Sequence, residues 1–210
     1  MKKLFFCFAT VFSILLTSCG CDIILKPAAD GAEFTILLSF EKAFTDTFSA
    51  LFPPDNENQL LFDEAQIKQT LETTGFEKVS VKNTSQNSLN ISGKINKNEE
   101  NPAVGSGIVE FADSGTIRLS FSAGTLQKLY ELLPFELKSY IDMLMAPSFT
   151  GEELSDEEYL DLVGTVYGEK VADELRDASV RFTVYTADGK TRFSRLAAIK
   201  LLNSIGTVKI

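Results

Sequence analysis

The chain contains no histidine. Histidine is the commonest general base near neutral pH and a frequent metal ligand, so its absence removes the Ser-His-Asp triad and the usual zinc chemistry. Tryptophan is absent too, and cysteine is confined to Cys7, Cys19 and Cys21. With all three so close to the start, the rest of the chain can hold no internal disulfide. Positive charge is in deficit: 20 Lys and Arg against 29 Asp and Glu leave a net charge of −9. Such a balance offers nucleic acid no basic face and gives anionic lipid no electrostatic pull. A long hydrophobic run is also missing. The longest, Leu4–Leu16, has 13 residues, whereas a membrane-spanning helix needs about 20.

That short run is nevertheless informative. Lys2 and Lys3 precede it and small residues follow it, which is the three-part layout of an export signal. Leu16-Thr17-Ser18-Cys19 stands directly after the run. It resembles the lipobox of bacterial lipoproteins: an aliphatic residue at −3, small residues at −2 and −1, and cysteine at +1. The resemblance implies cleavage after Ser18, a diacylglycerol thioether on Cys19, and a membrane-anchored, exported protein on the periplasmic or outer side of the cell envelope. Cys21 fits the pattern less well, because Ser18 would occupy its −3 position. It is left open to pairing between molecules, to a further acyl chain, or to no role.

The expected division is therefore a signal peptide over 1–18, a lipidated tether over 19–32 and one domain over 33–210. Loss of the signal leaves 192 residues with a net charge of −11, enough for one domain or two small ones sharing a core. The stretch 19–32 mixes Ile23, Ile24 and Leu25 with Pro27 and Gly31, and its middle can pair as a short strand.

Strand alternation marks Glu33–Phe40, Phe76–Asn83, Ser88–Lys97, Ile108–Phe111, Thr116–Ser122, Ser179–Thr186 and Lys190–Arg195, with Thr207–Ile210 closing the chain. Helical spacing marks Glu41–Leu51, Asp63–Thr74 with Ala65, Ile67 and Leu71 inward, and Thr125–Met145, which Pro134 kinks or divides. Ser155 and Glu158 form a capping box at the start of a helix to about Tyr167. Glu169–Asp177 continues helically, and Leu196–Asn203 suits a short helix. Asn96–Gly107 reads as a hydrophilic loop. Each strand has one apolar face, which predicts an antiparallel sheet. The order of strands, helices, then strands predicts an α+β domain with helices packed on one face of that sheet.

No catalytic or metal constellation emerges. Ser39-Phe40-Glu41-Lys42 matches S-x-x-K, but the companion S-D-N and K-T-G motifs are missing and Ser39 ends a strand. Asp55–Asn58 lacks the glycine and distal glutamate of an EF-hand loop. The acids Glu152, Glu153, Asp156, Glu157 and Glu158 sit at a helix N-terminus, where the macrodipole favours them. No enzyme activity, metal or cofactor is expected.

The most suggestive feature is the apolar stretch from Leu126 to Phe149, richer than one buried stripe requires. It reads either as a helix deep in the core or as an apolar cleft. In the second case Leu129, Leu133, Tyr140 and Leu144 are the candidate ligand-binding residues. The "TGFEKVSV" corner at Thr74–Val81, the "EEYLDLV" helix and the closing hairpin give a layout that resembles envelope lipoproteins of spirochaete type and lipid-associated lipoprotein domains with β-rich cores. The resemblance implies a non-enzymatic envelope lipoprotein that binds a lipid or other apolar ligand. The alternative is an interaction or scaffold module for another envelope protein.

Overall fold

The computed structural model describes residues 20–51, 62–112, 116–132, 154–186, 188–202 and 208–209. Strand β1 (Gly20–Ala28) turns directly into β2 (Gly31–Ser39). Helices α1 (Lys42–Leu51) and α2 (Glu64–Thr73) precede the hairpin of β3 (Phe76–Ser85) and β4 (Ser88–Asn96). A single helical turn, α3 (Pro102–Gly105), leads to β5 (Val109–Phe111), β6 (Ile117–Phe121) and α4 (Ala123–Leu132). Helices α5 (Asp156–Tyr167) and α6 (Glu169–Asp177) then deliver the chain to β7 (Ser179–Tyr185) and β8 (Thr191–Ala197). The short α7 (Ala198–Leu202) and β9 (Val208–Lys209) end it.

The fold is α+β. A six-stranded sheet runs in the order β3-β4-β2-β1-β7-β8, and a three-stranded sheet in the order β5-β6-β9. The large sheet is antiparallel at every junction except β1 with β7, which are parallel, so the sheet is mixed. One-sided alternation concealed this junction. Parallel pairs are normally covered on both faces, but here the second face stays wet and is bridged by an ion pair. Arg181 on β7 grips the carboxylate of Asp22 on β1, with Nη2 to Oδ2 at 2.7 Å and Nε on the other oxygen.

The reading of 19–32 as a tether is corrected for its described part: residues 20–28 are a strand at the heart of the sheet. Cys21, Ile23 and Leu25 stand opposite Leu38, Ile36 and Phe34 of β2, so apolar meets apolar across the ladder. Leu25 is only 2% exposed. Pro27 is tolerated because pairing with β7 stops at Leu25, leaving no ladder on that side for its missing N–H to break. At the tip, Gly31 has φ +155°, and a Cβ there would lie 1.9 Å from the Ile95 carbonyl oxygen.

One face of the large sheet is packed. Leu25, Ala32, Phe34, Ile95, Phe182 and Val184 meet Val109, Ile117 and Leu119 of the small sheet and Ile108 just before it, with Leu126 and Leu129 of α4 against them. Burying a side chain such as Phe182 contributes about 1.5–3 kcal/mol. Further along, Ile67 and Leu71 of α2 cover Val79, Val81 and Leu89, while Ala65, expected inward, is exposed. A second cluster forms around Tyr159, Leu160, Val163, Val171, Ala172 and Ile199, where burial pushes the Tyr159 phenol upward.

Two further expectations are adjusted. The hydrophilic loop 96–107 contains α3, opened by Asn101, which is 1% exposed. Its Oδ1 accepts the Ala103 N–H at 3.0 Å and its Nδ2 donates to the Gly75 carbonyl at 3.0 Å. The helix expected from Leu196 begins at Ala198, because Leu196 and Ala197 pair with Val180 and Ser179 as the end of β8. Residues 133–153, the greater part of the apolar stretch, and the 55–58 loop lie outside the described residues.

Candidate functional site

At the end of the large sheet where β1 begins, a row of side chains forms an apolar floor. Cys21 is the register partner of both Leu38 and Val180, so the three lie side by side across β2, β1 and β7. Helices supply the walls: Phe44 from α1, Val171 and Leu175 from α6, and Leu202 from α7. Gly20, Phe40, Ala178 and Ala198 complete the rim. The recess they form is open on one side and has a volume of about 130 Å³.

Each wall is positioned by local chemistry. Phe40, just past the end of β2, stacks on Phe44 with ring centroids 4.8 Å apart, and its backbone N–H donates to the Asn87 carbonyl at 2.9 Å. Glu174 on α6 caps helix α1 from a distance, its carboxylate oxygens accepting the Ala43 N–H at 2.7 Å and the Phe44 N–H at 2.8 Å. Those amides are among the donors that a helix leaves unpaired at its start. The bonds pin α1 to α6 across the cavity and commit the rim's carboxylate. Apart from Ser179, the remaining wall is aliphatic, aromatic or thiol, so the site offers chiefly dispersion contacts.

A second concavity, about 290 Å³, opens on the other face of the large sheet between Lys26, Glu33, Thr35, Lys78, Ser92 and Lys94. Its charges alternate across the strands: Glu77, Lys94, Glu33 and Lys26 are successive register partners. Opposite charges facing each other across a ladder stabilise a sheet on their own account. Lys94 also reaches Asp30 at 3.8 Å, and Lys26 lies over the Tyr185 ring at 5.2 Å. This face is a structural charge ladder.

Of the residues singled out from sequence, Cys19, Leu133, Tyr140 and Leu144 lie outside the described residues. Leu129 is described, and it packs against the core between the two sheets instead of lining the cavity. Ser39 and Lys42 of the S-x-x-K match point to separate tasks: Ser39 ends β2, and the Lys42 ammonium holds Asp46 at 2.7 Å. Among the described residues no group of three or more His, Cys, Asp or Glu could hold a metal ion, and no helix is long and apolar enough to cross a membrane.

The cavity as a whole escaped sequence reading because its residues come from four separate stretches of chain. Leu38 and Phe40 carried the alternation that marked the apolar face of β2, and Phe44 the i, i+4 spacing that marked the inner face of α1. Neither protein-family models, nor curated proteins, nor solved structures provide a match to this chain.

Proposed function

We propose that this protein is an exported lipoprotein, anchored through acylated Cys19, whose domain holds an apolar ligand in the cavity beside the anchor without catalysing a reaction on it. One observation carries the reading: the residues immediately after Cys19, Gly20 and Cys21, are themselves part of the cavity wall. The lipobox places hydrocarbon at the point where the fold presents an apolar recess. Each methylene moved from water into such a recess is stabilised by about 0.8 kcal/mol.

A scaffold role is the second reading, and the open sheet face favours it. Leu37, Tyr185 and Phe193 are 37%, 37% and 66% exposed there, and aromatic residues are enriched at protein interfaces. Native mass spectrometry of the mildly extracted protein separates the two. Co-purified lipid supports the ligand reading, whereas a stoichiometric protein partner with no lipid supports the scaffold. For the anchor itself, Cys19→Ala is expected to abolish processing and partition into detergent. Normal processing and unchanged partition in that variant would end the lipoprotein reading.

A further inference from the structure

We infer that the cavity receives the end of one of the protein's own anchor acyl chains whenever no bilayer holds that chain. This deepens the reading above and rests on acylation of Cys19.

The first argument is size. An engineered apolar cavity of about 150 Å³ takes a single benzene, so about 130 Å³ in a recess open on one side has room for the end of one alkyl chain, the remainder of the lipid staying outside. Chemistry is the second. The Glu174 carboxylate at the rim already accepts two backbone N–H groups, leaving it poorly placed to recognise a polar head group, so the walls select hydrocarbon.

The third argument is connection. Gly20 is already in β1, paired with Ser39 on one side and Ser179 on the other. Cys19 is one peptide away, about 3.8 Å between Cα atoms. The anchor therefore cannot drift from the recess on a linker. A short tether raises the local concentration of its cargo to the millimolar range. A site this small binds a free alkyl chain weakly, yet the tethered chain fills it. Transfer from bilayer to cavity exchanges one apolar surrounding for another and gains little. Transfer from water gains the full hydrophobic term. The docked state therefore belongs to protein that has left the bilayer, and the bilayer-inserted state empties the cavity.

The test uses the full-length protein from cells fed a fatty acid carrying a photoactivatable diazirine at its terminal carbons. Intact mass before irradiation reports whether the protein carries the label. Unlabelled protein would end the anchor reading and this inference with it. Labelled protein is then irradiated in vesicles and, separately, after dilution below the critical micelle concentration of the detergent. Cross-links to peptides containing Phe44, Leu175 or Val180 are expected after dilution and lost in vesicles. They are expected to be lost also in Ala178→Phe, which fills the cavity, with folding checked by circular dichroism. If that variant does not fold, Ala198→Leu serves in its place. Labelled protein without these cross-links overturns the inference and leaves the anchor standing. So does labelling of the cavity, after the same dilution out of detergent, by free diazirine fatty acid added to unlabelled acylated protein, since the site would then be vacant.

Discussion

Ser155 shows how much a single side chain can do. Its Oγ accepts the Glu158 N–H at 3.3 Å, while the Glu158 carboxylate accepts the Ser155 N–H at 2.8 Å. Those bonds hold the Glu158 carboxyl below its ordinary range, the backbone bond contributing most. A carboxyl depressed in the folded state contributes stability above its unfolded value, and that contribution is lost as pH falls through the folded value. Ser155→Ala is expected to lower stability by about 1 kcal/mol at neutral pH. Glu158→Ala, which removes the carboxylate that accepts the Ser155 N–H, is expected to lower it less in acid than at neutral pH, since in acid Glu158 is protonated in folded and unfolded chain alike. Urea denaturation at the two pH values measures the difference. Asn101→Ala should cost more, about 1–3 kcal/mol, because it removes a side chain only 1% exposed that serves both the Ala103 N–H and the Gly75 carbonyl. Equal effects of Asn101→Ala and of an exposed Asn98→Ala would contradict this. The Ser155 box was legible in the sequence because both partners lie within one helical turn. The role of Asn101 was not, because its partner is 26 residues away and only the folded chain brings them together.

At the scale of elements, the hairpin of β1 and β2 and its neighbour β4 depend on close backbone approach. Gly31→Ala would drive a Cβ into the Ile95 carbonyl, and Gly93→Ala would press on the Phe34 ring and the Glu77 carbonyl, both 2.9 Å from the new atom. The Phe34 ring yields more readily than backbone does. Gly31→Ala is therefore expected to be the more damaging, beyond the usual 1–3 kcal/mol of overpacking, in a paired thermal-melt comparison. Strand and helix existence was readable from periodicity wherever an element had one packed face, as in β2, α2 and the β7–β8 hairpin. Pairing was not. Alternation says which side of a strand is buried, but nothing in Cys21-Asp22-Ile23 names β7, more than 150 residues later, as a parallel neighbour. For the same reason β1 passed for a tether: its apolar patch is short, and its partners cannot be seen locally.

For the whole molecule, the strand that begins at Gly20 leaves no linker between the fold and the anchor proposed at Cys19. A flexible stretch over 19–32 would be cut readily by thermolysin at Ile23, Ile24 or Leu25. A central strand should resist until the domain unfolds globally. Limited proteolysis of membrane-bound protein, sequenced at its new termini, is expected to show loop cleavages well before any between Gly20 and Ala28. Early cleavage at Ile23 would contradict the placement of β1. The candidate site is legible only at this scale. Its floor is a register row from β2, β1 and β7, and its walls come from α1, α6 and α7. Sequence reasoning instead favoured Leu129, which does satisfy a helical apolar stripe but spends it on the core between the sheets.

The central position of β1 also determines how the protein answers force. With the attachment proposed at Cys19, tension enters at Gly20, and its component along the strand axis acts against β2 on one flank and β7 on the other. In that direction the hydrogen bonds of both ladders are sheared together, whereas a pull at an edge strand would peel them one at a time. A pull along that axis through the proposed attachment is thus met by both ladders at once, as by a rivet set through the middle of a plate.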